Sequence, residues 1–199
     1  MRWHKFISTI LHPIVMPTIG ILIYFILNPT YLNQKQKLSL LAVVFIATYI
    51  IPLLLLILLK SIGYIKSFEV HTIDERRVPI FFIMTLLFML GKFFYEINNI
   101  RELSYLFFGV VFGLGIIYLL FISKIKASLH LLSIGATIGF FLLFQQIKNT
   151  YSLHVITFLI ILSGILASSR LYLKAHNTKE IYLGFFIGVL CPFFAYFIL

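Results

Sequence analysis

The residues best suited to chemistry lie near the C-terminal end of the sequence, between positions 169 and 180. Arg170, His176 and Glu180 stand there between two long apolar runs, in a chain with few charges. His176 and Glu180 are four residues apart, a spacing that places two side chains on one face of a helix. A carboxylate in that position holds an imidazole in one tautomer and stabilises its protonated or substituted form. We therefore predict half of a phosphate-handling site at the end of a membrane span.

A second group of polar residues comes earlier, where Lys126, Ser128 and His130 precede another apolar run. A single histidine at a membrane interface is commonly a hydrogen-bonded structural residue, and that reading stays open. The alternative is that the three residues supply an amine, a hydroxyl and a general acid. A helix beginning here would also present free backbone N–H groups, which bind anions.

A third group contains Arg76 and Arg77, followed by Pro79. Two arginines at the start of a span can mark the cytoplasmic side. Guanidinium groups are also well shaped for two-point contact with phosphate oxygens. Pro79 suits the first turn of a helix, where its missing N–H costs nothing, so we predict that a span begins at about residue 78.

The composition is that of a polytopic membrane protein. The chain has 199 residues, of which 61% are hydrophobic and only 11% charged, with a mean hydropathy of +1.07; soluble domains carry about a quarter charged residues. The net charge of +10 comes from cations in short loops, which favours anionic headgroups and topology over nucleic acid as the explanation. Lys174 and Lys179 are predicted to be such interfacial anchors. The one cysteine, Cys191, excludes an internal disulfide.

Apolar runs long enough to cross a ~30 Å hydrocarbon core as helices predict an all-α bundle of six to seven transmembrane helices, forming a single domain over residues 1–199. We interpret the first run as a retained span rather than a signal peptide, since no small-residue cleavage site follows it. His12, Pro13 and Pro17 interrupt it and make it the least regular of the seven. The candidate spans are 6–27, 38–59, 78–95, 103–122, 128–146, 152–173 and 181–199.

Alternation of seven spans places the N-terminus and all three polar groups on one face of the membrane, here called the near side. The near side carries 11 of the 16 Lys and Arg residues, which would make it cytoplasmic by the positive-inside rule. Several of those cations are candidate phosphate ligands, so the count does not decide the orientation.

The third motif of a known family is closely matched by the first group described above. The type 2 phosphatidic acid phosphatase superfamily of integral-membrane lipid phosphatases has the pattern KxxxxxxRP, then PSGH, then SRxxxxxHxxxD. This chain resembles it through Ser169, Arg170 and His176, with Glu180 where the family has Asp.

The second and first motifs are present in altered form. In the second, Ser128 and His130 are kept, while Ala127 replaces Pro and Leu129 replaces Gly. In the first, residues 77–79 are similar to Arg-Pro with one inserted residue. The Lys that should stand seven positions earlier is missing, and Lys66 or Lys126 are the possible substitutes. The resemblance covers roughly residues 60–190.

The resemblance implies a role for each matching residue. His176 would be the nucleophile that forms a phosphohistidine, Glu180 would orient it, and His130 would protonate the leaving oxygen. No cofactor or metal is implied. The phosphoryl oxygens would be held by Arg170, Arg77 or Arg76, Ser128 and Lys126.

The expected activity is therefore hydrolysis of a lipid phosphate or diphosphate by a multi-pass protein of the bacterial cytoplasmic membrane. Phosphatidic acid, phosphatidylglycerol phosphate, undecaprenyl diphosphate and a lipid A phosphate are the candidate substrates, and the expected partners are this lipid and the membrane, not nucleic acid. The lipid would keep its tails in the bilayer. The alternative is a non-enzymatic transporter or anionic-lipid-binding protein with a degenerate phosphatase site. Transporters favour ionisable groups near mid-span, whereas the charges here collect at span ends. The oligomeric state is left open.

Overall fold

The computed structural model describes residues 2–28, 30–68, 70 and 72–199, and within these ranges the regular structure is entirely helical. Glu69 and His71, which the sequence places in the loop before the third run, lie outside the described residues. Six helical segments are long and apolar enough to cross a membrane, which confirms the predicted all-α transmembrane bundle. They are Gln34–Ser61, Ile73–Tyr95, Leu103–Leu120, Leu129–Lys148, Leu153–Tyr172 and Thr178–Ile198.

The first apolar run is not one span, and that prediction was wrong. It forms two short helices, α1 (Arg2–Ile10) and α2 (Met16–Leu27). Between them the chain turns at His12–Val15, where Val15 N–H donates to the carbonyl of His12 at 2.9 Å. Pro13 and Pro17 lack the N–H groups that a continuous helix would need here. At about 1.5 Å per residue, the 12 residues of α2 cover only part of a bilayer.

The first long span is a continuous helix with one widened turn. It comprises α3 (Gln34–Phe45), a π-helical turn (Ile46–Ile50) and α4 (Ile51–Ser61). Ile51 N–H donates to Ile46, five residues back. Pro52 follows directly and cannot donate to the carbonyl of Thr48, so the wider turn relieves the clash that proline causes.

Helix α5 (Ile73–Tyr95) begins earlier than predicted. A capping box sets its start, because the Thr72 hydroxyl accepts from Glu75 N–H and the Glu75 carboxylate accepts from Thr72 N–H. Pro79 therefore lies inside the helix and not in its first turn, which corrects the prediction of a start near residue 78. Arg76 and Arg77 are consequently helical residues.

The remaining spans are α6 (Leu103–Leu120), α7 (Leu129–Lys148), α8 (Leu153–Tyr172) and α9 (Thr178–Ile198). Helices α7 and α9 form the most closely packed pair of helices. A Cβ added at any of the four glycines in their contact would lie 2.2–2.5 Å from a backbone oxygen of the facing helix. These glycines bring the two backbones into direct contact, as small residues do in membrane helix pairs. They are Gly135, Gly139, Gly184 and Gly188.

Two sets of polar contacts mark the two ends of the bundle. At the end away from the candidate site, Glu102 is buried and accepts from the Tyr24 hydroxyl at 2.8 Å and from Lys148 at 3.2 Å. At the near end, Ser128 N–H donates to the Glu180 carbonyl at 3.0 Å. The loops with the three polar groups therefore meet at one end of the bundle.

Candidate phosphate-binding and catalytic site

The site is built around the contact between His176 and Glu180, which lie at the start of α9. A second capping box fixes them: Asn177 accepts from Glu180 N–H at 2.9 Å, and Glu180 Oε2 accepts from Asn177 N–H at 3.3 Å. The same Oε2 lies 2.7 Å from Nδ1 of His176, whose side chain is only 1% exposed. One carboxylate thus both caps the helix and holds the imidazole.

The electrostatic surroundings of His176 favour a neutral ring. Burial lowers its pKa to about 4, and the charges of Arg76 and Arg170 act in the same direction, whereas the hydrogen bond to Glu180 opposes them. A carboxylate oxygen can only accept, so the single ring proton sits on Nδ1. Nε2 then carries a lone pair, which is the state that a nucleophile requires.

The second polar group is placed beside the first by the α7–α9 contact. Ser128 is the N-cap of α7, where its hydroxyl accepts from Leu131 N–H at 3.5 Å and its backbone N–H is bound to Glu180. Ser128 is fully buried. His130 lies in the first turn of the same helix, and the charges of Arg170 and His176 both act on it.

The structure separates the two neighbouring arginines. Arg76 is 8% exposed and its Nε donates to the carbonyl of Val70 at 2.8 Å. The Arg77 side chain is 51% exposed and lies 3.6 Å from Asp74. Consecutive helical residues point about 100° apart, so only Arg76 faces the interior. Of the two predicted phosphate ligands, Arg76 is the one that the structure brings to His176.

Two further cations complete the basic side of the site. Arg170 lies in the last turn of α8, and its electrostatic neighbours include His176 and Arg76. Lys126 is half-buried; burial lowers its pKa, as do Arg76 and Arg170, while Glu180 raises it. Lys66, the other substitute for the missing family lysine, is exposed.

The N-terminal helix supplies residues that the sequence interpretation missed. Arg170 Nη1 donates to the Ser8 hydroxyl at 2.7 Å, and His130 Nε2 lies 3.1 Å from the Ser8 carbonyl. The ring of His12 packs edge-on against that of His130, with centroids 5.1 Å apart. His4, Ser8 and His12 recur every four residues, the spacing of one helical face, and this pattern was the available signal.

A cavity of about 140 Å³ opens beside these side chains. Its polar end is formed by two guanidinium groups and three imidazoles, those of Arg76, Arg170, His12, His130 and His176. Such a set can bind an anion with spread charge and offers both a nucleophile and a proton carrier. In the described part of the chain, no three His, Cys, Asp or Glu side chains are grouped to hold a metal ion.

The helices and their composition define a multi-pass membrane protein. No protein-family model, curated protein or solved structure matches this chain.

Proposed function

We propose that this protein is a membrane lipid phosphatase that hydrolyses a lipid phosphate or diphosphate through a phosphohistidine, as its resemblance to the type 2 phosphatidic acid phosphatases implies. The observation that carries the proposal is the contact of 2.7 Å between the buried His176 ring and the half-buried Glu180 carboxylate. His176 lines the cavity together with Arg76, Arg170 and His130. A neutral imidazole held by a carboxylate and facing two guanidinium groups suits attack on a phosphate.

The reaction has two displacements. In the first, Nε2 of His176 attacks phosphorus, the bond from phosphorus to the lipid oxygen breaks, and His130, which takes up a proton as the anionic phosphate binds, gives that proton to the lipid oxygen. In the second, water attacks the phosphohistidine, His130 takes the proton of the water, and phosphate leaves while His176 regains its lone pair. Glu180 keeps the proton on Nδ1 and balances the positive charge that the ring acquires.

The cations supply most of the stabilisation. Phosphoryl transfer depends on positioning and on neutralising negative charge spread over the equatorial oxygens. Arg76 and Arg170 are the cavity residues with the charge and shape to hold those oxygens, and Lys126 adds a third positive charge nearby. The Ser8 contacts compete with substrate, because the Ser8 hydroxyl occupies one N–H of Arg170 and the Ser8 carbonyl occupies Nε2 of His130, which must reach the lipid oxygen.

The test is phosphate release by purified protein from a panel of lipid phosphates and diphosphates. We expect His176→Ala to lose at least about 10³-fold in kcat, as removal of a nucleophile does, and His130→Ala to lose about 10²–10⁴-fold. His154→Ala is the matched control, because His154 is an exposed histidine at the start of α8, at the opposite end of the bundle. Turnover that survives His176→Ala would exclude the mechanism.

The neighbouring arginines give a second comparison. Arg76→Ala should reduce kcat/KM by about 10²–10³-fold, the effect of losing one donor to a developing oxyanion. Arg77→Ala should leave it unchanged, since the side chain faces outward beside Asp74. Absence of turnover on every lipid phosphate, together with retained binding, would favour an anionic-lipid-binding protein.

A further inference from the structure

The cavity beside His176 continues from the polar residues into the hydrocarbon depth of the bundle. Along α5 its wall runs from Arg76 to Leu87, eleven residues and therefore about 16 Å of helix. On the opposite side it is lined by Ala47 in the π-helical turn and by Val110 of α6. One continuous cavity thus joins the phosphate site to the apolar interior.

The sequence explains why this space is left open. Four prolines line the cavity: Pro13, Pro17, Pro52 and Pro79. Pro13 lies in the turn between α1 and α2, Pro17 lies in the first turn of α2, Pro52 follows the π-helical turn, and Pro79 lacks one N–H donor inside α5. The outer wall is the Gln34–Ser61 helix, which is only 22% buried, against 78% for α7. The space therefore lies between this peripheral helix and the deeply buried α7.

The chemistry of the deep wall favours an apolar occupant. Its hydroxyls are already hydrogen-bonded, Thr48 to Thr18 at 3.3 Å and Thr137 to the Ser133 carbonyl at 3.0 Å. A buried water needs two to four polar partners, which this part of the wall does not offer. The volume of about 140 Å³ is shared between the polar end and this apolar part.

We propose that this cavity is a slot for the alkyl chain of the substrate, which draws the carbons nearest the phosphate out of the bilayer and into the protein. The inference rests on the proposed function only for the position of the phosphate end. It favours lipids in which a slender, flexible chain lies close to the phosphate. A bulky ring next to the phosphate, such as the sugar of a lipid A phosphate, would not enter the slot.

The experiment measures KM for single-chain alkyl phosphates of increasing length, in wild type and in Ala47→Phe, which fills the slot. Ala42→Phe is the matched control, because Ala42 is exposed on the same helix. In wild type and Ala42→Phe, KM should fall about fourfold for each added methylene until the slot is full. In Ala47→Phe the decrease should stop at a shorter chain. Ala47→Leu gives a smaller filling group if the phenylalanine variant does not fold.

Binding separates this inference from the proposed activity. Alkylphosphonates, which cannot be hydrolysed, should raise the unfolding temperature of wild type and Ala42→Phe increasingly with chain length, and Ala47→Phe should lose that increase. This result would support the slot even if no lipid phosphate is turned over. The slot proposal would be refuted if wild type, Ala42→Phe and Ala47→Phe showed the same chain-length dependence, for turnover or for binding. The alkyl chain would then remain in the bilayer.

Discussion

Replacing Gly184 by alanine tests how the α7–α9 contact assembles the site. A Cβ at Gly184 would lie 2.4 Å from the carbonyl oxygen of Ser128 and 3.1 Å from its backbone nitrogen. Both are backbone atoms at the capped start of α7, so no side-chain rotation can relieve the clash. The two helix starts must therefore move apart.

The size of the movement follows from these distances. Ordinary van der Waals contact begins at 3.4 Å, so the 2.4 Å approach calls for about 1 Å of separation. The hydrogen bond from Ser128 N–H to the Glu180 carbonyl is 3.0 Å long, and such a shift takes it beyond bonding distance. Overpacking and one lost hydrogen bond together cost about 2 kcal/mol or more. His130 moves away from His176 with its helix, and a 1 Å misplacement can cost about 10²-fold in rate.

The assay combines thermal unfolding in detergent with lipid phosphate turnover per folded molecule. For a chain of this length, a loss of about 2 kcal/mol lowers Tm by roughly 4–8 °C. Gly164→Ala is the matched control, because a Cβ at Gly164 would meet nothing within 4 Å, and it should keep both the wild-type Tm and rate. If Gly184→Ala also kept both, close backbone contact between α7 and α9 would not be what positions the site. A lowered Tm with an unchanged rate would show that the close contact stabilises the fold but does not position the catalytic residues.

Three further predictions concern single side chains of the site. Glu180→Gln retains a capping-box residue but loses the charge that balances the imidazole. Its kcat should therefore fall about 10²–10⁴-fold, while its Tm stays nearly unchanged. Glu75→Gln, the same change in the capping box of α5, should leave kcat as it is. Ser8→Ala releases Arg170 from a competing hydrogen bond, so KM for lipid phosphates should fall about tenfold; a raised KM would instead make Ser8 a substrate ligand. Burial lowers the pKa of His176 to about 4, so below pH 6.5 the unfolded chain binds a proton that the folded chain does not, and the free energy of unfolding should fall as the pH drops towards 4. His176→Gln should lessen that loss when Tm is compared at pH 7 and pH 5, and an equal loss in the variant would contradict it.

The six long spans could be predicted from the sequence because each apolar run is long enough to cross a membrane without interruption. The first run met the length criterion but failed as a span, since two prolines four residues apart remove helical N–H donors. The start of α5 was also placed too late, at about residue 78. The capping box of Thr72 and Glu75, which begins the helix at Ile73, was not recognised in the sequence.

The candidate site was predictable where it depends on local spacing and not where it depends on packing. His176 and Glu180 are four residues apart, and a single helix start brings them together. The choice between Arg76 and Arg77 required the helical phase of α5, which follows only from its true start. The spacing of His4, Ser8 and His12 indicates a shared helical face but not what that face contacts, because the bond from Ser8 to Arg170 joins residues 162 positions apart.

The proposed phosphoryl transfer requires side chains held in fixed positions, whereas the proposed slot requires a wall that can move. Different helices carry these two functions. His130, His176 and Glu180 lie at the starts of α7 and α9, whose backbones touch through glycines and cannot shift without steric clash. The outer wall of the slot is the Gln34–Ser61 helix, which has the lowest burial of the six spans. We therefore expect a chain to enter by displacing that helix, while the nucleophile and the proton carrier keep their positions. Stiffening the outer helix, for example by replacing Pro52 in α4, should slow substrate entry and leave the phosphoryl-transfer step unchanged.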